Sequence, residues 1–200
     1  MGDHYYSRDP HAESAPVKWK TELRGMPFVF KTDAGVFSKG EVDFGSRLLV
    51  DTFREPSAEG PLLDIGCGYG PVGLTVARLL PERTVHMVDV NSRALSLANE
   101  NAGANGAGNV TIYESDGGAD VRGTGFAAVL TNPPIRAGKE TVFRIYEDAH
   151  RLLAPGGELW VVIQKKQGAP STEAKLSDLF GNVELAGKKK GYHIFRSLKH

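Results

Sequence analysis

The sequence has little cysteine, no long apolar run and no net charge, and each absence excludes a class of protein. A single cysteine, Cys67, among 200 residues rules out an internal disulfide framework and fits a reducing compartment. No apolar stretch approaches the roughly 18 residues needed to cross a bilayer. The six histidines lack metal-ligand spacing, and the N-terminus lacks a secretory pattern. We therefore expect a cytoplasmic protein that needs no membrane and no metal.

Charge is balanced over the whole chain but not along it. The chain has 24 basic and 24 acidic residues. From Gln164 onward there are eight basic residues and only three acidic ones, which leaves a charge of +5 on this end and −5 on the remainder. A basic end on a neutral protein is typical of a surface that contacts phosphates, although lysines on a solvated face have the same composition.

The first 60 residues predict an arm, a hairpin and, over residues 43–53, a helix. Residues 1–16 carry prolines and charges without periodicity, so we expect a loosely held, flexible arm ahead of a single domain over residues 17–200. Residues 17–24 alternate strictly between uncharged and charged side chains, which predicts a half-buried strand. A turn predicted at residues 25–27 leads to a second strand, and the two form an N-terminal β-hairpin.

From residue 62 onward, short apolar runs alternate with helical patterns. The predicted strands occupy residues 62–65, 84–88, 110–113, 126–131, 158–163, 183–186 and 192–197, and the helices occupy residues 71–80, 93–105, 140–153 and 172–180. This alternation requires right-handed crossovers and a sheet covered on both faces. The link between the last two strands is too short for a parallel crossover, so that pair is antiparallel. The expected fold is α/β and Rossmann-like, with a seven-stranded, mostly parallel sheet.

The first of these strands leads into a glycine-rich loop that suits a bound ligand. Gly66, Gly68 and Gly70 stand at every second position before a predicted helix. Glycine lets the backbone pass close under a ligand, and the first N–H groups of the helix point toward it. Asp64 lies between two apolar residues, so its charge needs a donor from the loop or from a cationic ligand.

The loop by itself leaves the cofactor open. Gly68, Gly70 and Gly73 match G-x-G-x-x-G, and Asp89 follows about twenty residues later, as in a dinucleotide site. A tight turn that only packs a helix on a strand is the purely structural interpretation.

Polar side chains also end the next three strands. Asp89 is placed to accept from both hydroxyls of a ribose, and Asp116 can accept from an adenine amine. Each of them alone is often a helix cap or a turn residue. Because the carboxyl ends of parallel strands border one crevice, the three aspartates and Asn132 together predict a single site.

The most apolar strand ends abruptly in Asn132-Pro133-Pro134. Proline has no N–H and pushes the residue before it into extended geometry, so the carbonyls here find no local donor. The side-chain oxygen of Asn132 and the carbonyl of Pro133 can together hold an exocyclic NH₂ group. This arrangement predicts chemistry on the amine of a base or on an amide, whereas the structural alternative is a rigid loop.

These motifs, in this order and spacing, resemble those of class I S-adenosylmethionine-dependent methyltransferases. Residues 35–46 and 132–139 make the chain similar to the small-domain methyltransferases, typified by the bacterial 16S ribosomal RNA guanine-N(2) methyltransferase. The resemblance implies transfer of a methyl group from S-adenosyl-L-methionine to guanine-N(2) of ribosomal RNA. The implied partner is ribosomal RNA or the assembling small ribosomal subunit.

The resemblance also assigns roles to residues. The implied catalytic residues are Asn132, Pro133, Pro134 and Ile135. The implied cofactor-binding residues are Phe37, Lys39, Asp64, Gly66, Cys67, Gly68, Gly70, Asp89, Val90, Asp116 and Asn132. By this resemblance, Asp64 lies near the methionine ammonium of the cofactor, Asp89 binds its ribose and Asp116 binds its adenine.

Ile135 departs from the family pattern. Many amine methyltransferases have Tyr, Phe or Trp after the two prolines, and that ring stacks on the target base. We expect Phe37, Phe28 or Tyr69 to supply a ring instead.

Three other functions stay open from the sequence. The same Asn-Pro-Pro grip serves enzymes that methylate a protein glutamine amide or an adenine amine. An NAD-dependent oxidoreductase would use Gly68, Gly70 and Gly73, but it has no role for residues 132–134. A non-catalytic RNA-binding module would keep the cofactor pocket without turnover.

Overall fold

The structure, a computed structural model, describes residues 13–38 and 40–200. Its strands are β1 (Val17–Leu23), β2 (Met26–Thr32), β3 (Leu62–Ile65), β4 (Val85–Asp89), β5 (Val110–Glu114), β6 (Phe126–Thr131), β7 (Leu153–Gln164), β8 (Glu184–Lys189) and β9 (Tyr192–Leu198). Its α-helices are α1 (Phe44–Thr52), α2 (Pro71–Leu79), α3 (Ser92–Ala104), α4 (Lys139–Leu152) and α5 (Ala169–Phe180). Short 3₁₀ turns follow β6 and β7, at Ile135–Ala137 and Lys165–Gln167.

The main sheet has seven strands in the order β5-β4-β3-β6-β7-β9-β8. Strands β3 to β7 pair in parallel, and β9 is antiparallel to both β7 and β8. This confirms the predicted Rossmann-like fold, its antiparallel end and its N-terminal hairpin. The order reverses between β3 and β6, because the chain first builds outward through β4 and β5. Such a reversal opens a crevice at the carboxyl ends of the central strands.

Helices cover both faces of this sheet, as the strand–helix alternation predicts. Helices α1, α2 and α3 pack with the hairpin on one face, around residues such as Leu49, Leu74 and Ala98. Helices α4 and α5 pack on the other face, around Tyr146 and Leu176. The central strands β3 and β6 are buried along their whole length, which explains why they are continuous apolar runs.

The hairpin turn differs from the prediction. The sequence places it at residues 25–27, whereas the structure turns at Arg24-Gly25, with φ of 54° and 73°. Two residues at positive φ form the tight turn whose twist matches the flanking strands, so β2 begins at Met26. The Arg24 guanidinium holds this turn by donating to the carbonyls of Val50 and Phe53 at the end of α1.

Three other boundaries move by three residues or more, and one of them is the end of β8, which lies at Lys189 rather than at residue 186. Helix α5 begins three residues before the predicted Thr172, because Pro170 is accepted in the first turn of a helix. Strand β7 begins at Leu153 rather than at residue 158, and a bulge against β6 accommodates the extra residues.

Two asparagines, one in the last turn of α3 and one directly after the helix, bind the outer edge of β2. Asn101 accepts from the N–H of Lys31 at 2.8 Å and donates to its carbonyl at 3.0 Å. One helical turn later, Asn105 makes the same pair of bonds to Val29, at 2.8 and 2.7 Å. The two side-chain amides make the hydrogen bonds that a neighbouring strand would make. The backbone N–H and C=O groups of Val29 and Lys31 are therefore paired, and the hairpin is held against the domain.

The predicted arm falls mostly outside the described residues, which begin at residue 13. Residues 13–16 have no regular secondary structure, but Ser14 and Ala15 donate to the Asp33 carboxylate at 2.8 and 2.6 Å. No helix within the described ranges is long and apolar enough to cross a membrane.

Candidate active site

A cavity opens at the carboxyl ends of β3, β4 and β6, where the strand order reverses. It has a volume of about 720 Å³, including the part of its mouth that is open to solvent. It is lined by Val36, Phe37, Asp43, Ser46, Asp64, Gly66, Cys67, Gly68, Tyr69, Pro71, Val72, Asp89, Ala94, Asn132, Pro133 and Pro134.

The glycine loop leaves the floor of this cavity clear of side chains. Gly66 and Gly68 have φ of 77° and 56°, and a Cβ built on either would meet nothing within 4 Å. Gly70, at φ 104°, stands just before α2, where a Cβ would come within 2.8 Å of Leu74. The first two glycines therefore let a ligand approach the backbone, and the third lets the helix begin.

Asp64 is a buried carboxyl at the end of β3. Its Oδ2 accepts from the N–H of Gly73, in the first turn of α2, at 2.8 Å. A Cβ on Gly73 would come within 3.0 Å of the same oxygen, so only glycine permits this contact. Burial raises the pKa of Asp64 to about 7, the Gly73 N–H opposes the rise, and the charge of Asp89 adds to it. A single backbone donor leaves this carboxylate short of partners, and a cationic ligand group would supply them.

Asp89 ends β4 and is held by the backbone around it. Its Oδ2 accepts from the N–H of Gly68 at 2.8 Å, and its Oδ1 accepts from the N–H of Asn91 at 2.9 Å. Burial raises its pKa, and the N–H groups of Asn91, Gly68 and Val90 oppose the rise. The carboxylate therefore orients the loop and still has lone pairs to offer to hydroxyl groups at the cavity.

The thiol of Cys67 also borders the cavity, but it is not a nucleophile. The residue is only 3% exposed. Burial raises the pKa of the thiol well above its usual value, and the charges of Asp89 and Asp64 raise it further. Cys67 is therefore a neutral, apolar part of the wall.

The amide of Asn132 has an orientation set by α1. Its Nδ2 donates to Oδ2 of Asp43 at 3.1 Å and to the hydroxyl of Ser46 at 3.0 Å. The same Asp43 oxygen caps α1 by accepting from the N–H of Ser46 at 3.0 Å. Since a carboxylate can only accept, the NH₂ end must face Asp43. The side-chain oxygen of Asn132 is left as a free acceptor at the cavity.

A second acceptor lies next to it in the chain. Across residues 13–38 and 40–200, no N–H donates to the carbonyl of Pro133. The carbonyl of Pro134, in contrast, accepts from Ala137 at 2.9 Å and begins the 3₁₀ turn. Asn132 and Pro133, which carry these two acceptors, both line the cavity.

A second, more open cavity adjoins the first and shares five of its residues. The shared residues are Val36, Phe37, Asp43, Asn132 and Pro133. The other walls of this second cavity are Gly35, Ser38, Ile135, Arg136, Gln164, Gln167 and Tyr192. Asn132 and Pro133 thus stand between two cavities, which suits a transfer between a ligand in one and a ligand in the other.

The structure reduces the three aromatic candidates to one. Phe28 is 1% exposed, stacked on Phe30 and covered by Arg78, away from both cavities. Tyr69 is 2% exposed, with its hydroxyl on the carbonyl of Glu41, so its ring is part of the core. Phe37 is 42% exposed and borders both cavities.

Not every predicted site residue reaches the cofactor cavity. Asp116 is on the surface, where Arg144 donates to both of its carboxylate oxygens at 2.7 and 3.0 Å. Val90 contributes its N–H to Asp89. Ile135 lines the second cavity rather than the first. Lys39 lies outside the described residues.

Sequence reasoning missed the residues that orient the grip. The amide of Asn132 is held by Asp43 and Ser46. Their local signal was an aspartate in the N-cap position of α1, with Ser46 three positions after it. Tyr192 borders the second cavity because β9 pairs with β7 through Gln164↔Tyr192. Nothing in the sequence near Tyr192 reveals that register.

No metal-ligand group was found among the described residues: three His, Cys, Asp or Glu side chains do not come together anywhere within them.

The chain is similar to methyltransferases of known role and to one protein of no assigned role. It is 54% identical, over the full length of both chains, to the uncharacterized protein YbxB of Bacillus subtilis strain 168. It is 32% identical to the ribosomal RNA small subunit methyltransferase C of Vibrio cholerae, covering 90% of this chain and 52% of that one. It is 35% identical to the ribosomal RNA large subunit methyltransferase G of Streptomyces avermitilis, covering 88% of this chain and 46% of that one.

A solved structure matches the fold closely. The 16S rRNA N2 G1207 methyltransferase of T. thermophilus, in complex with AdoMet and guanosine, superposes with a TM-score of 0.81 at 26% identity. The match covers 96% of this chain and 52% of that one. The chain therefore spans about half the length of the named ribosomal RNA methyltransferases that it matches.

The family match covers most of the domain. Residues 27–196, from the second hairpin strand to β9, match the family described as methyltransferase small domain. The match includes the glycine loop, Asp64, Asp89 and the Asn132-Pro133-Pro134 turn. This chain belongs to the methyltransferase small domain family.

Proposed function

We propose that this chain is an S-adenosyl-L-methionine-dependent methyltransferase that modifies guanine-N(2) of ribosomal RNA. The observation that carries the proposal is the fixed amide of Asn132, which leaves two acceptors, its own oxygen and the Pro133 carbonyl, between two cavities. The proposal includes a cytoplasmic location, where ribosomes assemble.

The first cavity suits the cofactor. Gly66 and Gly68 give a ligand access to the backbone, and Asp64 is a buried carboxylate short of partners, which would bind the methionine ammonium. Asp89 would accept from the ribose hydroxyls. Bound there, S-adenosylmethionine supplies an electrophilic methyl group. For Asp116 to contact the adenine, as we propose, the Arg144 guanidinium must release the Asp116 carboxylate. We place Lys39 and Phe37 at the methionine end of the cofactor.

The two acceptors suit the amine. A guanine amine is a poor nucleophile because its lone pair is delocalised into the ring. Hydrogen bonds from its two N–H groups to Asn132 and Pro133 would favour a pyramidal nitrogen and stabilise positive charge as it develops. Because both acceptors are fixed by Asp43, Ser46 and the proline backbone, they need no reorganisation during the reaction. The proton leaves easily afterwards, so no general base is required before attack.

The second cavity suits the base. Phe37 and Tyr192 present rings on its walls, and Gln164 and Gln167 present amides that can pair with a base edge. One stacked ring contributes roughly 1–3 kcal/mol per base, so Phe37 or Tyr192 can compensate for Ile135. A base can enter such a cavity only from an unpaired segment or after it has left its stack.

Ribosomal RNA is favoured as substrate because the named relatives act on it. The relatives include both small-subunit and large-subunit enzymes, and the solved structure holds a guanosine. We favour the small subunit as partner, because the solved relative at TM-score 0.81 modifies 16S rRNA.

The test combines one substitution with a panel of substrates. The protein is incubated with methyl-labelled S-adenosylmethionine and with 30S subunits, 50S subunits, naked ribosomal RNA, release factors or DNA. We expect label in RNA, and label only in protein or only in DNA would refute the RNA substrate. Asn132→Ala should keep its affinity for S-adenosylhomocysteine and lose roughly 10²-fold in turnover. The matched control is Asn99→Ala, an exposed asparagine on α3, which should change neither quantity.

Calorimetry separates the remaining alternatives. Binding of NAD in preference to S-adenosylhomocysteine would favour the oxidoreductase. Cofactor binding with no transfer to any member of the panel would favour a non-catalytic RNA-binding module.

A further inference from the structure

Five lysines surround the tip of the β8–β9 hairpin, and we refer to them as the basic rim. Lys188 and Lys189 end β8, Lys190 lies in the turn, and Lys165 and Lys166 follow β7. All five are exposed. None forms an ion pair with any residue in the described ranges, whereas Arg196 on β9 is paired with Glu158 and Glu184.

The basic rim lies at the same edge of the sheet as the second cavity. Gln164 pairs with Tyr192, and the N–H of Lys165 donates to the carbonyl of Gly191 at 2.7 Å, so the hairpin turn sits at the carboxyl end of β7. Gln164 and Tyr192 are themselves walls of that cavity. The hairpin turn also contacts the beginning of α1, where the ammonium of Lys190 lies 5.1 Å from the centre of the Phe44 ring. Phe44 directly follows Asp43 in the chain.

The positive charges of the rim reinforce one another. Burial lowers the pKa of His193 on β9, and the charges of Lys188 and Lys165 lower it further, with only Glu173 opposing them. Lys188 lies directly opposite His193 in the β8–β9 pairing, so its charge acts on the same ring as that of Lys165. Like charges gathered without partners raise the local potential, and an external polyanion would neutralise it.

We propose that the basic rim binds the phosphates of the single-stranded RNA that flanks the target nucleotide, while the base enters the second cavity. This inference rests on the proposed function, because it takes RNA as the substrate. Lysine contacts phosphate as a point charge and carries no sequence information, so the rim sets position and affinity but not the choice of base. Selection of guanine would remain with the second cavity.

The experiment measures RNA binding directly, without turnover. Anisotropy of a short, fluorescein-labelled, single-stranded RNA is titrated with the full chain from about 0.05 to about 0.3 M salt, the range in which counterion release is read. The test variant is Lys165→Gln/Lys188→Gln. The matched control is Lys18→Gln/Lys20→Gln, which removes two exposed lysines from β1, on the other hairpin.

The two variants should differ clearly. Each lost phosphate contact lowers the slope of log affinity against log salt by about 0.7, so the test variant should lose about 1.4 in slope and bind about tenfold more weakly near 0.15 M salt. The control should match the unmodified protein. Equal weakening in both variants, or no change in the test variant, would overturn the proposal. Binding of both variants to phosphatidylserine vesicles is measured as well. A larger loss of vesicle binding than of RNA binding in the test variant would overturn the proposal too.

The two proposals fail in different ways. If the RNA binds through the rim but receives no methyl group, the enzyme proposal fails and the rim stands. If RNA is methylated and the test variant shows unchanged RNA affinity and an unchanged KM for RNA, the rim fails and the enzyme proposal stands.

Discussion

Asp64→Asn should stabilise the ligand-free protein above neutral pH. The folded-state pKa of Asp64 is raised from 3.8 to about 7, so the native state binds its proton more tightly than the unfolded chain does. The associated stability is complete below pH 3.8, falls as the pH rises from 3.8 to 7, and is constant above that. Three pKa units correspond to about 4 kcal/mol, an upper limit because the carboxyl borders a cavity. Asparagine mimics the protonated form and can still accept from Gly73.

Thermal unfolding at about pH 4.5 and about pH 8 measures this effect. The variant should gain little at the lower pH and more at the higher one, where each kcal/mol raises the Tm by about 2–4 °C for a chain of this size. The matched control is Asp51→Asn, which changes an exposed aspartate on α1 and should shift the Tm little at either pH. A lower Tm at pH 8, or an equal gain at both pH values, would refute the reasoning about burial.

The same substitution should weaken cofactor binding. Asparagine cannot neutralise an ammonium group, and loss of one partner in a buried charge pair costs about 2–5 kcal/mol. Calorimetry with S-adenosylhomocysteine should therefore show an affinity at least about 30-fold lower. A variant that is more stable and yet binds the cofactor less well would show that Asp64 is retained for function at the expense of stability.

Three further predictions concern the supports of the site. Asp43→Ala should cost about 1 kcal/mol of stability through the lost cap and lower turnover about tenfold, whereas Asp43→Asn, which keeps an oxygen, should lower turnover less; steady-state kinetics checks this. Gly68→Ala should cost about 1 kcal/mol, because φ is 56° and nothing lies within 4 Å, but reduce affinity for S-adenosylhomocysteine more than tenfold, because the methyl group enters the cavity. Asn101→Ala removes the side-chain partner of the Lys31 N–H and of the carbonyls of Lys31 and Tyr69. It should lower the free energy of unfolding by about 3 kcal/mol, measured as a lower Tm and as faster hydrogen exchange at the Lys31 amide.

Much of the fold could be predicted because it is encoded by local patterns. Strands β3 and β6 are continuous apolar runs, and α4 has one apolar stripe, so their type and order follow from periodicity. The turn at Arg24 could not be predicted in this way. Arginine rarely adopts positive φ, and the bonds that hold it there reach Val50 and Phe53, 26 and 29 positions along the chain.

The residues of the candidate site likewise fall into those with local sequence signals and those positioned by tertiary contacts. The position of Asn132, Pro133 and the glycines at strand ends could be predicted, because strand ends and glycine spacing are local signals. The partner of Asn132 was not, since Asp43 lies 89 positions earlier in the chain. The pairing of Asp116 with Arg144, 28 positions later, likewise depends on how α4 packs against the loop that follows β5. Contacts set by tertiary packing leave no periodic trace in the sequence.

The beginning of α1 contacts Asn132, a wall of the second cavity and the basic rim. The Asp43 oxygen that caps the helix is also the oxygen that orients Asn132, so a substitution that removes the cap also removes a partner of Asn132. A Cβ on Gly45 would lie 3.1 Å from side-chain atoms of both Asp43 and Tyr192, so a larger residue there would require at least one of them to shift. Phe44 in turn carries Lys190 of the basic rim. Under the proposed function, a shift of this helical turn would therefore displace Asn132, Tyr192 and Lys190 together.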